Sequence, residues 1–119
     1  MNLLLVETRG FTEAIPDYFE DDESYRCFQE YLMESPDVGA VMRGCAGLRK
    51  VRWQDARRGK GKRSGLRIIY LHLPEFEVLG LVDVYGKNEA EDLTTDERRV
   101  LSSIANGFRS DIQERRRSR

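Results

Sequence analysis

Ten cationic side chains crowd one short stretch: Arg43, Arg49, Lys50, Arg52, Arg57, Arg58, Lys60, Lys62, Arg63 and Arg67, with Asp55 the only acid among them. Cations placed around a phosphodiester stabilise the negative charge that grows in its transition state. RNA carries its own nucleophile, the 2′-OH. A protein that holds that hydroxyl in line with phosphorus then needs only positioning, a proton acceptor and charge stabilisation. A lysine crowded by other cations has a depressed pKa and can be that acceptor. Such cleavage needs no metal and leaves a cyclic phosphate end. Nucleic-acid binding without cleavage fits the same residues.

The concentration of charge is local. Residues 1–42 carry ten acids against two arginines, and residues 68–119 carry ten acids against eight bases, so the formal net charge of −1 conceals a strongly dipolar chain. A basic block between two acidic flanks is the footprint of a polyanion partner.

Other chemistries find little support. There is no Gly-rich phosphate loop opening a helix and no nucleophile elbow. His72 is the single histidine and is expected to pack rather than catalyse. Cys27 and Cys45 form no Cys-x-x-Cys pair, so two reduced, structural cysteines are expected, with neither zinc nor a cofactor. No apolar run approaches the roughly 18 residues of a membrane span. The start, Met1-Asn2-Leu3-Leu4-Leu5-Val6-Glu7, has no basic lead, so no signal peptide is expected and the cytoplasm is the expected compartment.

The elements that must position the cations follow from pattern. With 119 residues, 39% of them hydrophobic, the chain is expected to form one domain over its whole length. Leu3-Leu4-Leu5-Val6 is a strand. Residues 11–19 are limited by Pro16 to a turn or two of helix, unless the helix begins near Pro16. Asp21-Asp22-Glu23-Ser24 starts a firmer helix whose apolar face is Tyr25, Phe28, Leu32 and Met33, and Ser35-Pro36 ends it. Strands are expected at 48–53, 67–73 and 76–85, the last two joined as an antiparallel hairpin through Pro74-Glu75. Gly80 suggests a bulge. Residues 54–65 form a long basic loop and 86–89 a turn. Thr94 and Glu97 form a capping box ahead of a helix carrying Val100, Leu101, Ile104, Phe108 and Ile112. Its basic tail, from about residue 114, is expected to fray.

The class is therefore α+β: a mostly antiparallel sheet of about four strands, with the N-terminal helices and the C-terminal helix on one face. Strand alternation puts Lys50 and Arg52 together on the face opposite Val51 and Trp53. Arg67 joins them only if the register allows.

Three segments then carry a family resemblance: Gly47-Leu48-Arg49-Lys50-Val51-Arg52; Gly59-Lys60-Gly61-Lys62-Arg63-Ser64-Gly65 with Arg67-Ile68-Ile69-Tyr70; and Val84-Tyr85-Gly86-Lys87-Asn88-Glu89. Together they resemble HigB-type toxins of the RelE/ParE superfamily over nearly the whole chain. The resemblance implies a RelE-like fold and a type II toxin that cleaves mRNA on translating ribosomes. It also implies a cognate antitoxin, often a HigA-like helix-turn-helix protein. By the resemblance, Lys50, Arg52 and Arg67 match the family's basic strand positions and Lys87 falls in the Gly-Lys turn that borders the site; these four are the implied catalytic residues, with Lys50 or Lys87 as proton acceptor and Arg52 and Arg67 on the phosphate. Arg49, Arg57, Arg58, Lys60, Lys62, Arg63, Tyr70 and Tyr85 are the implied RNA- and ribosome-binding set. Asn88 stands where such toxins often have an arginine. A ParE-type, non-enzymatic gyrase inhibitor and a plain nucleic-acid-binding module are the alternatives.

Overall fold

The computed structural model describes residues 3–54, 65–86 and 93–117. In chain order it contains β1 (Leu4–Glu7), α1 (Arg9–Tyr18), α2 (Asp22–Glu34), β2 (Ala40–Val41), β3 (Arg49–Trp53), β4 (Leu66–Leu73), a 3₁₀ turn (Pro74–Phe76), β5 (Val78–Gly86) and α3 (Thr95–Arg117). The sheet order is β1-β5-β4-β3-β2. β1 lies parallel to β5, and the other neighbours are antiparallel. The α+β class holds. The sheet has five strands among the described residues, one pair of them parallel, where about four mostly antiparallel strands were expected.

Local chemistry sets the helix ends. The Thr8 hydroxyl caps α1 by accepting the Phe11 N–H at 3.3 Å. α1 runs ten residues and contains Pro16, longer than the proline suggested. Proline removes one helical hydrogen bond and crowds the carbonyl four residues back, here that of Thr12. Thr12 and Pro16 are both exposed, so water can serve that carbonyl and the helix continues. Asp21 caps α2 in a reciprocal box with Ser24. The Thr94–Glu97 box is present at the start of α3: Glu97 N–H donates to the Thr94 hydroxyl at 3.1 Å, and Thr94 N–H to the Glu97 carboxylate at 2.9 Å. α3 is helical to Arg117, through the start of the basic tail. Arg115–Arg117 suit the negative end of the helix dipole, Ile112 is buried, and Arg116 donates to the Phe76 carbonyl.

The helices cover both faces of the sheet, not one. On β4, Leu66, Ile68 and Tyr70 join Phe11, Phe28 and Leu32 of α1 and α2 in one buried cluster. The intervening Ile69, Leu71 and Leu73 join Leu101, Ala105 and Ile112 of α3 in another. Alternate residues of a strand point to opposite faces, so α3 lies across the sheet from α1 and α2. An apolar alternation cannot distinguish one covered face from two when both sets are apolar. Each fully buried Leu, Ile or Phe contributes about 1.5–3 kcal/mol.

The expected bulge falls elsewhere. Gly80 is ordinary strand opposite Leu71, and it is small because Phe108 of α3 rests on it; a Cβ there would sit 2.5 Å from the Phe108 ring. The shift comes two residues later, where Ile69 pairs with Asp83 but Tyr70 with Leu81. Val82 is the extra residue. Among the described residues no helix is long and apolar enough to cross a membrane.

Candidate nucleic-acid interface

β3 divides its side chains cleanly. Val51 and Trp53 enter the core beneath α1 and α2, so Lys50 and Arg52 share the α3 face. Residues directly opposite in an antiparallel pair project to the same side. Arg52 pairs with Arg67, and Arg67 with Tyr85; Lys50 pairs with Ile69, and Ile69 with Asp83. The α3 face therefore carries two rows running across β3, β4 and β5. One row reads Arg52, Arg67, Tyr85 and the other Lys50, Ile69, Asp83. Neighbours within a row are about 4.8 Å apart at the backbone and the rows are about 6.7 Å apart. Arg52 and Asp83 are exposed, Lys50 and Arg67 half-buried, and Tyr85 buried. The Arg67 guanidinium lies 3.4 Å from the carbonyls of Gly65 and Leu66.

The bulge places the β5 members of these rows. Val78 and Val82 belong to the α3-side cluster, and Gly80 lies against Phe108. Even numbers on β5 thus face α3 as far as Val82. Past the extra residue the parity flips, and Asp83 and Tyr85 face α3 while Val84 joins the opposite core. Asp83 Oδ1 accepts the Val84 N–H at 2.9 Å, which orients the carboxylate.

Beside the rows, the first turns of α3 and β5 enclose a groove of about 560 Å³. Ile69, Val82, Leu93, Val100 and Ile104 give it apolar walls, and Asp83, Asp96 and Glu97 line it with carboxylates. Val100 is 59% and Ile104 39% exposed, although both belong to the apolar stripe expected to pack inward. Ala105, one residue outside that stripe, is fully buried instead. Met33 of α2 is likewise exposed where the pattern placed it in the core.

Arg49 and Tyr70 lie on the other face. Tyr70 is fully buried; its hydroxyl donates to the Pro36 carbonyl at 2.8 Å and accepts the Gly39 N–H at 2.9 Å. Burial raises its phenol pKa. Arg49 donates to the carbonyls of Asp37 and Gly39 at 3.1 and 2.8 Å, with the Asp37 carboxylate 3.5 Å away. His72 Nδ1 lies 2.8 Å from the Asp37 carboxylate, which this hydrogen bond, together with the His72 and Arg49 charges, holds below its usual pKa. The His72 side chain is 9% exposed, and its buried Nε2 has no hydrogen-bond partner among the described residues. Gly39 has to be small here, since a Cβ would meet the Tyr70 ring at 2.8 Å. Arg49, Tyr70 and His72 thus clamp the connector that leads into β2, where Ala40 pairs with Lys50.

Of the candidate residues, then, Lys50, Arg52 and Arg67 come together, with Tyr85 at the end of their row. Arg49 and Tyr70 do not join them. Arg57, Arg58, Lys60, Lys62, Arg63 and Lys87 lie outside the described residues, as do Asn88 and most of the basic loop. Asp83 and the groove were not anticipated, because only the bulge brings Asp83 to this face. Among the described residues no group of three or more His, Cys, Asp or Glu could hold a metal ion. No protein-family model matches the chain.

Proposed function

We propose that this chain is a HigB-type toxin of the RelE superfamily, an endoribonuclease that cuts mRNA on the ribosome in the cytoplasm. The observation that supports this reading most is the cross-strand pair Arg52–Arg67 with Lys50 on the same face. Three cations on adjacent strands can surround one phosphate, and phosphate recognition favours arginine's planar fork of donors.

In this reading Lys50 takes the proton of the 2′-OH. The 2′-oxygen bonds to phosphorus, and the bond from phosphorus to the 5′-oxygen breaks. The leaving oxygen takes up a proton, giving a 2′,3′-cyclic phosphate and a 5′-hydroxyl end. Arg52 and Arg67 hold the charge that builds on the non-bridging oxygens. No water or redox partner is consumed. The cognate partner of the proposal is a HigA-like antitoxin that covers or distorts this face.

The test is cleavage of a translated mRNA with and without ribosomes, comparing wild type with Lys50→Ala and Arg67→Ala and mapping the new ends. Ribosome-dependent cuts that vanish in both variants support the reading. Growth arrest without any cut turns it toward a ParE-type inhibitor, and neither cut nor arrest toward a binding module.

A further inference from the structure

We infer that the groove beside the cationic rows is a nucleobase subsite that selects guanine through Asp83. The inference rests on the nuclease reading for its nucleotide, and goes beyond it in naming the base and the residue that reads it.

Charge gives the first argument. Lys50, Arg52 and Arg67 stand on β3 and β4, while Asp83, Asp96 and Glu97 stand at the β5 and α3 side. A nucleotide entering this field has one favourable orientation: phosphate over the cations, base away from them. From a phosphate at Arg52–Arg67 the base reaches about 5–10 Å, one to two strand spacings. That distance ends over Ile69 and β5, at the mouth of the groove.

The groove walls supply the second argument. A base is a flat apolar plate with a polar rim. Val100 and Ile104 expose apolar surface on one side, and Ile69 and Val82 floor the other. The carboxylates lie along the margin, so a plate slid between these walls would keep its rim against them.

The rim decides identity. A carboxylate only accepts hydrogen bonds, and it can accept two in parallel. Guanine alone presents two adjacent donors, N1–H and N2–H, on one edge. Cytosine and adenine offer an amino group beside a ring nitrogen whose lone pair would face the second carboxylate oxygen. Uracil offers one N–H between two carbonyls that the carboxylate repels. The expected order is guanine, then cytosine, then adenine and uracil. Asp83 is exposed at the groove margin, and the Val84 N–H orients its carboxylate.

The experiment has two arms on the full chain. The first titrates wild type and Asp83→Asn with the four nucleoside 5′-monophosphates by calorimetry. Wild type should bind GMP about ten- to a hundredfold more tightly than UMP, the discrimination of one bidentate base contact. Asp83→Asn, which brings an amide donor against one of the guanine donors, should lose that margin, with UMP bound at least as well as by wild type. Ile104→Lys, which blocks one wall, should weaken all four. The second arm maps cut sites on translated mRNAs, where guanine should be enriched at one fixed position by wild type and not by Asp83→Asn. Cuts with a flat base distribution and flat nucleotide binding overturn the subsite and leave the nuclease reading standing. GMP selectivity lost in Asp83→Asn, without any cleavage by wild type, keeps the subsite and removes the nuclease. A preference that survives in Asp83→Asn overturns the assignment to Asp83.

Discussion

Arg49 and Arg52 sit three residues apart on one strand and face opposite surroundings. On the α1–α2 face, Arg49, Tyr70 and His72 spend their polar atoms on a connector: two arginine donors, a phenol and an imidazole hold the backbone or side chains of Pro36, Asp37 and Gly39. On the α3 face, Lys50, Arg52 and Arg67 form part of a surface that α3 flanks across a groove. The same two strands thus build a rigid clamp on one side and a field of positive charge on the other. Truncating Tyr70 strands the buried Gly39 N–H and the half-buried Pro36 carbonyl, which is costly. Truncating the exposed Arg52 removes charge from a solvated surface, which barely affects folding.

Four measurements break or sharpen this contrast. The largest effect should come from Arg52→Ala or Arg67→Ala. Cleavage should fall by about 10²–10³-fold, as when a transition-state charge stabiliser is removed. For the exposed Arg52 the unfolding free energy should stay within about 0.5 kcal/mol of wild type in urea. Equal losses of stability and activity in Arg52→Ala would erase the distinction between the faces.

Next is Tyr70→Phe. It leaves the Pro36 carbonyl and the Gly39 N–H without their partner and should cost about 1–3 kcal/mol in urea unfolding, while cleavage per folded molecule stays within a few-fold. A variant with unchanged stability would show that the connector is not clamped.

Salt dependence is a smaller, quantitative test. Three phosphate-facing cations should give single-stranded RNA binding a log–log salt slope of roughly −2, and alanine at Lys50, Arg52 or Arg67 should each flatten it by about 0.7. Arg49→Ala should leave the slope unchanged, because that guanidinium is occupied by the connector.

The smallest effect belongs to Asp37, which is mostly exposed. Its carboxyl pKa is lowered in the folded state, so its contribution is fully present above the ordinary carboxylate value of about 3.9 and is lost as pH falls through the folded value. The thermal midpoints of wild type and Asp37→Asn should therefore differ at neutral pH and converge below about pH 4. A gap that persists at acid pH would mean that the ion pair is not its source.

The sequence makes the basic stretch, the facing of Lys50 with Arg52, the N-cap of α2, the Thr94–Glu97 capping box and the β4–β5 hairpin legible, because each depends on residues close together in the chain. It does not reveal the partner of Arg67, since register is set by distant strands. The face of Asp83 and Tyr85 is hidden for a sharper reason: counting by twos along β5 from Gly80 puts both on the wrong side, and only the inserted Val82 corrects the count. β2 is two residues long and has no period to detect. Val100 and Ile104 match an inward stripe that α3 does not bury, because the helix turns Leu101 and Ala105 to the sheet instead.

The parallel pairing of β1 with β5 has a consequence for synthesis. β1 is made before the other strands of the sheet, yet its partner lies 74 residues later in the chain. Until β5 leaves the ribosome, β1 has no neighbour, Gly80 cannot receive Phe108, and the rows lack Tyr85 and Asp83. Most of the cationic stretch emerges well before the strand that completes its face. A growing chain thus carries the basic stretch without its assembled surface, and the face is completed only once β5 has been made.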